Sequence, residues 1–276
     1  MGSALKSIQL GHNGPTVSAI GLGCMGLSYA YGHVEEPQAT KVIQHALDSG
    51  INYIDTADIY GSNHRLIAKA IKGRREQAFI ATKCGFVINR GNVSINGSPD
   101  YIRTACDNVL HELNLDSIDL FYLHRADNQV PIEESIGAMA ELVLEGKVKY
   151  LGLSEVSPEP LLKAHSVHPI QALQSEYSLW QREPESNIFN TCQEIGCSFV
   201  AFSPLGRGFL AGYQPPASSA SDFRTKLPRF QGQNLIDNQW IQEAINELAM
   251  SYQCTPAQLS LAWILQQPYS ILPIPG

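Results

Sequence analysis

The sequence predicts an α/β fold in which eight parallel strands alternate with helices and close on themselves, a (β/α)₈ TIM-type barrel. Three observations predict it. Eight short apolar runs recur along the chain, and helical spacing follows most of them, the pattern of parallel strands joined by crossover helices. The 276 residues suit one such barrel, which typically needs about 250. No linker or composition shift cuts the chain, so residues 1–276 read as a single domain.

The elements follow in order. Residues 7–10 and 16–18 flank Gly11-His12-Asn13-Gly14-Pro15, which is turn chemistry, so the chain opens with a β-hairpin. The first barrel strand is 19–23. A helix over 36–49 places Val42, Ile43, Ala46 and Leu47 on one face and stops at Gly50. Strand 51–55 comes next, then helix 65–71 ending before Gly73, then strand 78–83. Helix 99–113 starts with Pro99 at its first position and Ser98 as N-cap. Strand 118–123, helix 132–145 closed by Gly146, strand 148–153, helix 158–165 and strand 170–174 continue the alternation. Helix 185–195 ends at Gly196 and strand 198–202 follows. Residues 212–234, rich in Pro, Ser and Gln, read as a polar loop. Helices 237–252 and 256–267 precede the eighth strand, 270–274. A complete barrel needs one more helix to cover that strand, so the final helix is expected to be missing from this sequence, which stops at Gly276.

Composition narrows the function. With 44% hydrophobic and 16% charged residues the chain can build a large core. Its net charge of −7 and scattered basic residues argue against a nucleic-acid surface; Lys72-Gly73-Arg74-Arg75 reads as an exposed helix end. An anionic cofactor is still compatible, because local N–H groups outweigh net charge. No stretch approaches the ~20 apolar residues of a membrane span. Six cysteines without a Cys-x-x-Cys pair read as reduced thiols of a cytoplasmic chain.

Barrels of this type carry their active sites at the C-terminal ends of the strands. The polar residues just past each strand are Asp55 with Tyr60 five positions on, Lys83, His124, Ser154 with Glu155, Gln174 with Tyr177, and the run Ser203-Pro204-Leu205-Gly206-Arg207-Gly208. Hydride reduction of a carbonyl needs a proton donor at its oxygen. A tyrosine, with an ordinary pKa of about 10, is eased toward that role by a neighbouring ammonium, which lowers its pKa. A carboxylate would keep the ammonium charged, and a histidine would orient the oxygen. Tyr60, Lys83, Asp55 and His124 fit these four roles if the strand ends converge. Singly, each has a plain alternative: Asp55 capping a turn, Tyr60 packing, Lys83 reaching solvent, His124 on the surface.

Asp55-Thr56-Ala57-Asp58-Ile59-Tyr60-Gly61, Ala81-Thr82-Lys83, Leu123-His124-Arg125, Gly152-Leu153-Ser154-Glu155, Gln174-Ser175-Glu176-Tyr177-Ser178-Leu179-Trp180 and Phe202-Ser203-Pro204-Leu205-Gly206-Arg207-Gly208 together resemble the aldo-keto reductase family, in the branch of pyridoxal and perakine reductases. The resemblance implies an NADPH-dependent reductase of small-molecule aldehydes and ketones, with NADH not excluded. It implies Asp55, Tyr60, Lys83 and His124 as catalytic tetrad, with Tyr60 as general acid. Asp55, Ser154, Glu155 and Gln174 are implied at the nicotinamide end, Tyr177 stacked on its ring, and Ser203, Pro204, Leu205, Gly206, Arg207 and Gly208 over the pyrophosphate. Gly23, Cys24 and Met25 are implied as cofactor contacts. Tyr29, Phe86 and Trp180 are candidates for the substrate wall, with Tyr31 and residues 89–97 beside them. The chain departs from the family after Tyr60-Gly61, where Ser62-Asn63-His64-Arg65 is short and His64 stands where Glu is common.

The same residues are compatible with other readings. Potassium-channel β subunits resemble the same family, so an NADP(H)-binding regulatory subunit with little turnover is one. A lyase forming a Schiff base on Lys83 is another. Gly21-Leu22-Gly23-Cys24-Met25-Gly26 matches the dinucleotide fingerprint literally, but Tyr29-Ala30-Tyr31-Gly32 intervenes before any helix. His165 and His168 lack a third metal ligand, and Cys192 and Cys197 read as packing residues.

Overall fold

The computed structural model describes residues 5–213 and 222–276. Eight strands form one parallel sheet: β3 (Leu22–Gly23), β4 (Tyr53–Asp55), β5 (Phe79–Cys84), β8 (Ile118–Leu123), β9 (Val148–Ser154), β10 (Ile170–Glu176), β11 (Ser198–Phe202) and β12 (Ile271–Ile274). They neighbour one another in that order. The first and last meet through Gly21 N donating to Pro273 O (3.0 Å) and Gly23 N to Pro275 O (2.7 Å), which closes the barrel. Helices α1 (Glu36–Asp48), α2 (Asn63–Ala70), α3 (Pro99–Leu113), α4 (Ile132–Leu144), α5 (Pro158–Val167), α6 (Ile188–Ile195), α7 (Gly232–Ser251) and α8 (Pro256–Leu265) accompany the strands.

Every residue of β8 is buried because both of its faces are covered. The strand period then divides them. Leu120 and Tyr122 point into the barrel with Tyr53, Ala81, Ala172, Val200 and Leu272, while Phe121 and Leu123 join the larger core under the helices. Inside, the Tyr53 and Tyr122 hydroxyls share a hydrogen bond of 2.9 Å. Gly152 makes room for this: a Cβ there would lie 2.4 Å from the Tyr122 ring.

The hairpin β1 (Ser7–Gln9) and β2 (Thr16–Ser18) seals the N-terminal end of the barrel. Leu10 and Val17 enter the interior, and Gly11 N donates to Ser198 Oγ at 2.7 Å. The opposite end stays open for chemistry.

Several expectations needed correction. Residues 89–97 are not a plain loop: β6 (Phe86–Asn89) and β7 (Asn92–Ile95) form a hairpin, turned at Arg90 and Gly91 with φ of 49° and 82°. The polar segment 212–234 holds short 3-10 turns at Phe223–Lys226 and Pro228–Phe230, and α7 already starts at Gly232; residues 214–221 of it lie outside the described residues. The helix expected over 185–195 is split by Asn187 at φ −154° into a 3-10 turn (Glu183–Ser186) and α6. Ser98 precedes α3 but its side chain makes no capping bond. The glycine-rich stretch 21–26 leads into a 3-10 turn (Met25–Leu27) and α1 begins only at Glu36, so it is no dinucleotide fingerprint. Among the described residues, no helix is long and apolar enough to cross a membrane and no His/Cys/Asp/Glu group could hold a metal.

Candidate active site

Strand β4 delivers Asp55, and its continuation is tied to the neighbouring strand: Thr56 N donates to Ala81 O (2.9 Å) and Asp58 N to Lys83 O (3.1 Å). The chain then turns, with Tyr60 N bonded to Ala57 O (3.1 Å) and Ser28 Oγ donating to Tyr60 O (2.7 Å). This fixes the Tyr60 ring, which stacks on Tyr29 with centroids 5.8 Å apart.

Lys83 projects from β5 and is wholly buried. Its Nζ donates to Asp55 Oδ1 (2.6 Å) and Thr56 O (2.7 Å), while Gln174 Nε2 from β10 donates to Asp55 Oδ2 (2.8 Å). The ammonium lies 5.5 Å from the centre of the Tyr60 ring. His124, just past β8, meets the Tyr60 ring edge-on at 6.2 Å and Phe86 at 4.6 Å. Its backbone N donates to Cys84 O (2.8 Å), its Nδ1 is buried without a partner, and the residue lines the cavity. Four residues from three separate segments therefore meet at the C-terminal ends of three adjacent strands, β4, β5 and β8.

Burial dominates the electrostatics. It pushes Asp55 up and Lys83 down, and their mutual attraction opposes both shifts. Tyr60 is also driven well above its ordinary value, by burial first and the Asp55 charge second, against a smaller pull from Arg125. The expected lowering of Tyr60 by the ammonium is thus not what the geometry gives, because Lys83 points to Asp55 and Thr56. His124 is pushed down to about 2 by burial, with the Lys83 and Arg125 charges adding to the fall, so its imidazole is neutral. Asp58 is pushed up to about 7 by burial; one oxygen accepts from Tyr101 Oη at 3.3 Å and the other has no partner.

A cavity of about 450 Å³ opens over these residues. Asp55, Tyr60, His124, Ser154 and Gln174 line it at the strand ends, and Gly23 and Met25 line it beside β3. Ser203, Pro204, Leu205, Arg207 and Gly208 form another wall, with Tyr29 and Phe86 opposite the barrel. The positive φ values of Ser203, Gly206, Arg207 and Gly208 (50°, 56°, 58° and 94°) coil this segment tightly, the kind of backbone that presents N–H groups to an anion.

Six sequence candidates lie away from the cavity surface. Lys83 is buried beneath it, bonded to Asp55. Cys24 is buried behind Gly23 and Met25, and Gly206 behind its neighbours. Glu155 is exposed, with Oε1 accepting from Glu176 N at 3.0 Å. Tyr177 cannot stack on a bound ring: β10 runs on to Glu176, so its side chain turns outward, stacks on Trp263 at 5.3 Å and donates to Glu185 Oε1 at 2.8 Å. Trp180 is not a substrate wall either; it stacks on Phe209 at 4.4 Å in a satellite core.

Several lining residues escaped sequence reasoning, three of them with chemistry to offer. Phe202, the last residue of β11, lines the cavity at the strand ends where Tyr177 does not, and Arg125 lines it next to His124. Both stand inside quoted motifs, and their places at strand ends were the available signal. Arg224 also lines the cavity; it pairs with Asp222 and lies over the rings of Tyr31 (4.4 Å) and Tyr213 (3.8 Å), where no sequence signal pointed. A larger cavity, about 610 Å³, lies at the sealed end beside His12 and Phe189, far from the tetrad.

Comparison with known proteins agrees with this geometry. The model of the aldo/keto reductase family matches residues 19–276. A probable aldo-keto reductase of Glycine max is 47% identical over 279 residues, covering 99% of this chain and 80% of the relative. Among solved structures, a glycerol dehydrogenase of Gluconobacter oxydans superposes with TM-score 0.85 at 27% identity, covering 96% of this chain and 85% of that one. The holo form of an aldo-keto reductase of Bacillus halodurans gives 0.81 at 30% identity, covering 99% and 86%. The chain therefore belongs to the aldo/keto reductase family and is an oxidoreductase of carbonyl compounds.

Proposed function

We propose that this protein is an NADPH-dependent reductase of small-molecule aldehydes and ketones in which Tyr60 is the general acid, and that residues 1–276 act as one domain. The observation that carries the proposal is the convergence of Asp55, Lys83, Tyr60 and His124 under one open cavity.

The residues present fit a nicotinamide dinucleotide. Ser154 and Gln174 offer a hydroxyl and an amide beside the tetrad, Phe202 offers a ring face, and the coiled segment around Arg207 suits a pyrophosphate. When bound, the nicotinamide supplies hydride to the carbonyl carbon. Tyr60, held as a neutral phenol by its buried setting, gives its proton to the carbonyl oxygen as negative charge develops there. Lys83, bonded to Asp55 and Thr56 O beneath the ring, holds the Asp55 carboxylate in place, and the Arg125 and Arg207 charges are those that favour the tyrosinate left behind. Neutral His124 donates a hydrogen bond to the same oxygen and orients it. All six cysteines are free thiols, which supports a reducing cytoplasmic setting.

The test is NADPH oxidation against a panel of aldehydes, with NADH as competitor, for the wild type and Tyr60→Phe. Turnover should fall by about 10²–10⁴-fold in the variant while cofactor affinity holds. Tight cofactor binding with no turnover of any aldehyde by the wild type would replace the reductase with a regulatory binding protein.

A further inference from the structure

The cavity has an unequal charge inventory. Asp55 is spent on Lys83 and Gln174. Arg224 is spent on Asp222, through Nε and Nη2, and on the faces of Tyr31 and Tyr213. Arg207 belongs to the coiled segment assigned to the pyrophosphate. Arg125 remains. Its Nη1 donates to its neighbour's carbonyl, His124 O (2.5 Å), and to Ser154 Oγ (3.1 Å), and no carboxylate among the described residues lies within ion-pair distance of it. A guanidinium carries five N–H donors, so most of this fork is uncommitted.

Its position is as informative as its valence. The guanidinium lies 5.6 Å from the Phe86 ring, which packs on His124 at 4.6 Å, and its charge acts on Tyr60. It is half-buried, and Phe86, Tyr29 and Ile59 give the cavity it lines an apolar share. The nearest acid, Glu155, is exposed and its carboxylate is held by Glu176 N. A cation pre-set by two hydrogen bonds, next to His124 in a cavity also lined by Tyr60 and by apolar side chains, is built for a planar anion of single charge.

We propose that the preferred substrates are aromatic or apolar carbonyl compounds that carry a carboxylate, and that Arg125 is the specificity-determining residue that anchors it. One guanidinium matches a carboxylate better than a phosphate ester, whose second charge would have no partner here. The proposal rests on the carbonyl-reductase reading.

The experiment compares 2-, 3- and 4-formylbenzoate with their methyl esters, which keep the aldehyde and lose the charge. The wild type should favour at least one acid over its ester by about tenfold or more in kcat/KM. Arg125→Gln should erase that preference, cutting the acid-to-ester ratio by about tenfold or more, chiefly through KM, and Arg125→Lys should restore part of it. Benzoate binding by calorimetry is the second readout, and it should weaken by about tenfold or more in Arg125→Gln. Esters reduced at least as well as acids at all three spacings would overturn the proposal and leave the reductase standing. So would equal losses on acid and ester in Arg125→Gln, which would make Arg125 a positioning residue for Ser154. If none of the six compounds is reduced, the reductase reading is at fault, and benzoate decides: wild-type binding lost in Arg125→Gln supports the anchor, and absent or unchanged binding overturns it.

Discussion

Replacing Asp55 with Asn removes one charge from a buried pair and leaves the other. Lys83 and Asp55 are 0% and 4% exposed in their side chains, with Nζ 2.6 Å from the carboxylate. At an effective dielectric of about 20, that separation corresponds to about 6 kcal/mol of attraction. The loss on substitution is capped, because Lys83 has an escape: it can surrender its proton. Doing so at pH 7, from an unfolded value of about 10.4, costs about 1.36 kcal/mol per pH unit, or about 4.6 kcal/mol; at pH 9 it costs about 1.9 kcal/mol. The sign follows from linkage. A base whose folded pKa is depressed binds fewer protons folded than unfolded, so stability rises with pH through the window below the unfolded value. In the wild type Lys83 is already pushed down by burial, but the Asp55 carboxylate opposes the shift, and the Asn variant loses that opposition. Denaturant unfolding of wild type and Asp55→Asn at pH 7 and pH 9 should therefore show a deficit of about 3–5 kcal/mol at pH 7 that shrinks by about 2–3 kcal/mol at pH 9. The double variant Asp55→Asn/Lys83→Met should recover most of the loss. A pH-independent deficit, or one under about 1 kcal/mol, would show that Lys83 is not an ammonium dependent on Asp55.

Three further outcomes follow from the same reasoning. His124, pushed down to about 2, should show no imidazole titration by NMR above about pH 4, and since a base with a depressed pKa costs stability as pH falls below its unfolded value of about 6.5, acid should destabilise the fold there; a midpoint near 6–7 would contradict the buried neutral ring. Asp58 is an acid raised to about 7, so the folded state loses stability as pH rises from about 4 to 7; Asp58→Asn should stabilise the protein by about 1–3 kcal/mol at pH 8 and by little at pH 4, read from unfolding midpoints. Gly152→Ala places a methyl 2.4 Å from the Tyr122 ring, and a loss of about 1–3 kcal/mol or more is expected; an unchanged melting temperature would show that the ring can move aside.

What was legible in the sequence was whatever burial writes into it. Strands β8 and β11 and helix α3 have the bounds read from the residues, because each is a core segment bordered by turn or cap chemistry. The β6–β7 hairpin escaped because it is largely exposed, with Ile88 and Val93 in solvent, so no inside-outside alternation marks it. The Arg90-Gly91 turn was its only signature. In the site, Asp55, Lys83 and His124 stand at or next to a strand end, where position alone fixes direction. Tyr177 and Trp180 come after the strand has already turned, and their rings went to the helix layer instead. Distance past a strand end does not say which way a side chain faces. Ser178, whose Oγ accepts from Trp180 N and Gln181 N at 3.1 and 3.2 Å, sits in the turn that carries this segment aside.

The seam between residues 21–23 and 273–275 has a kinetic and a thermodynamic side. Both bonds across it run in one direction, from glycine N–H to proline carbonyl, because a proline has no hydrogen to return. Its partners are also about as distant in sequence as the chain allows, so their closure carries the largest loop entropy and belongs late in folding. Gly23 on one lip and Ile274, Pro275 and Gly276 on the other both face the cavity. A ligand that reaches both edges of the seam would tie binding and barrel closure to one free energy. Occupancy should slow amide exchange at Gly21 and Gly23 far more than at the interior of β8, and the melting temperature should climb with ligand concentration as mass action requires.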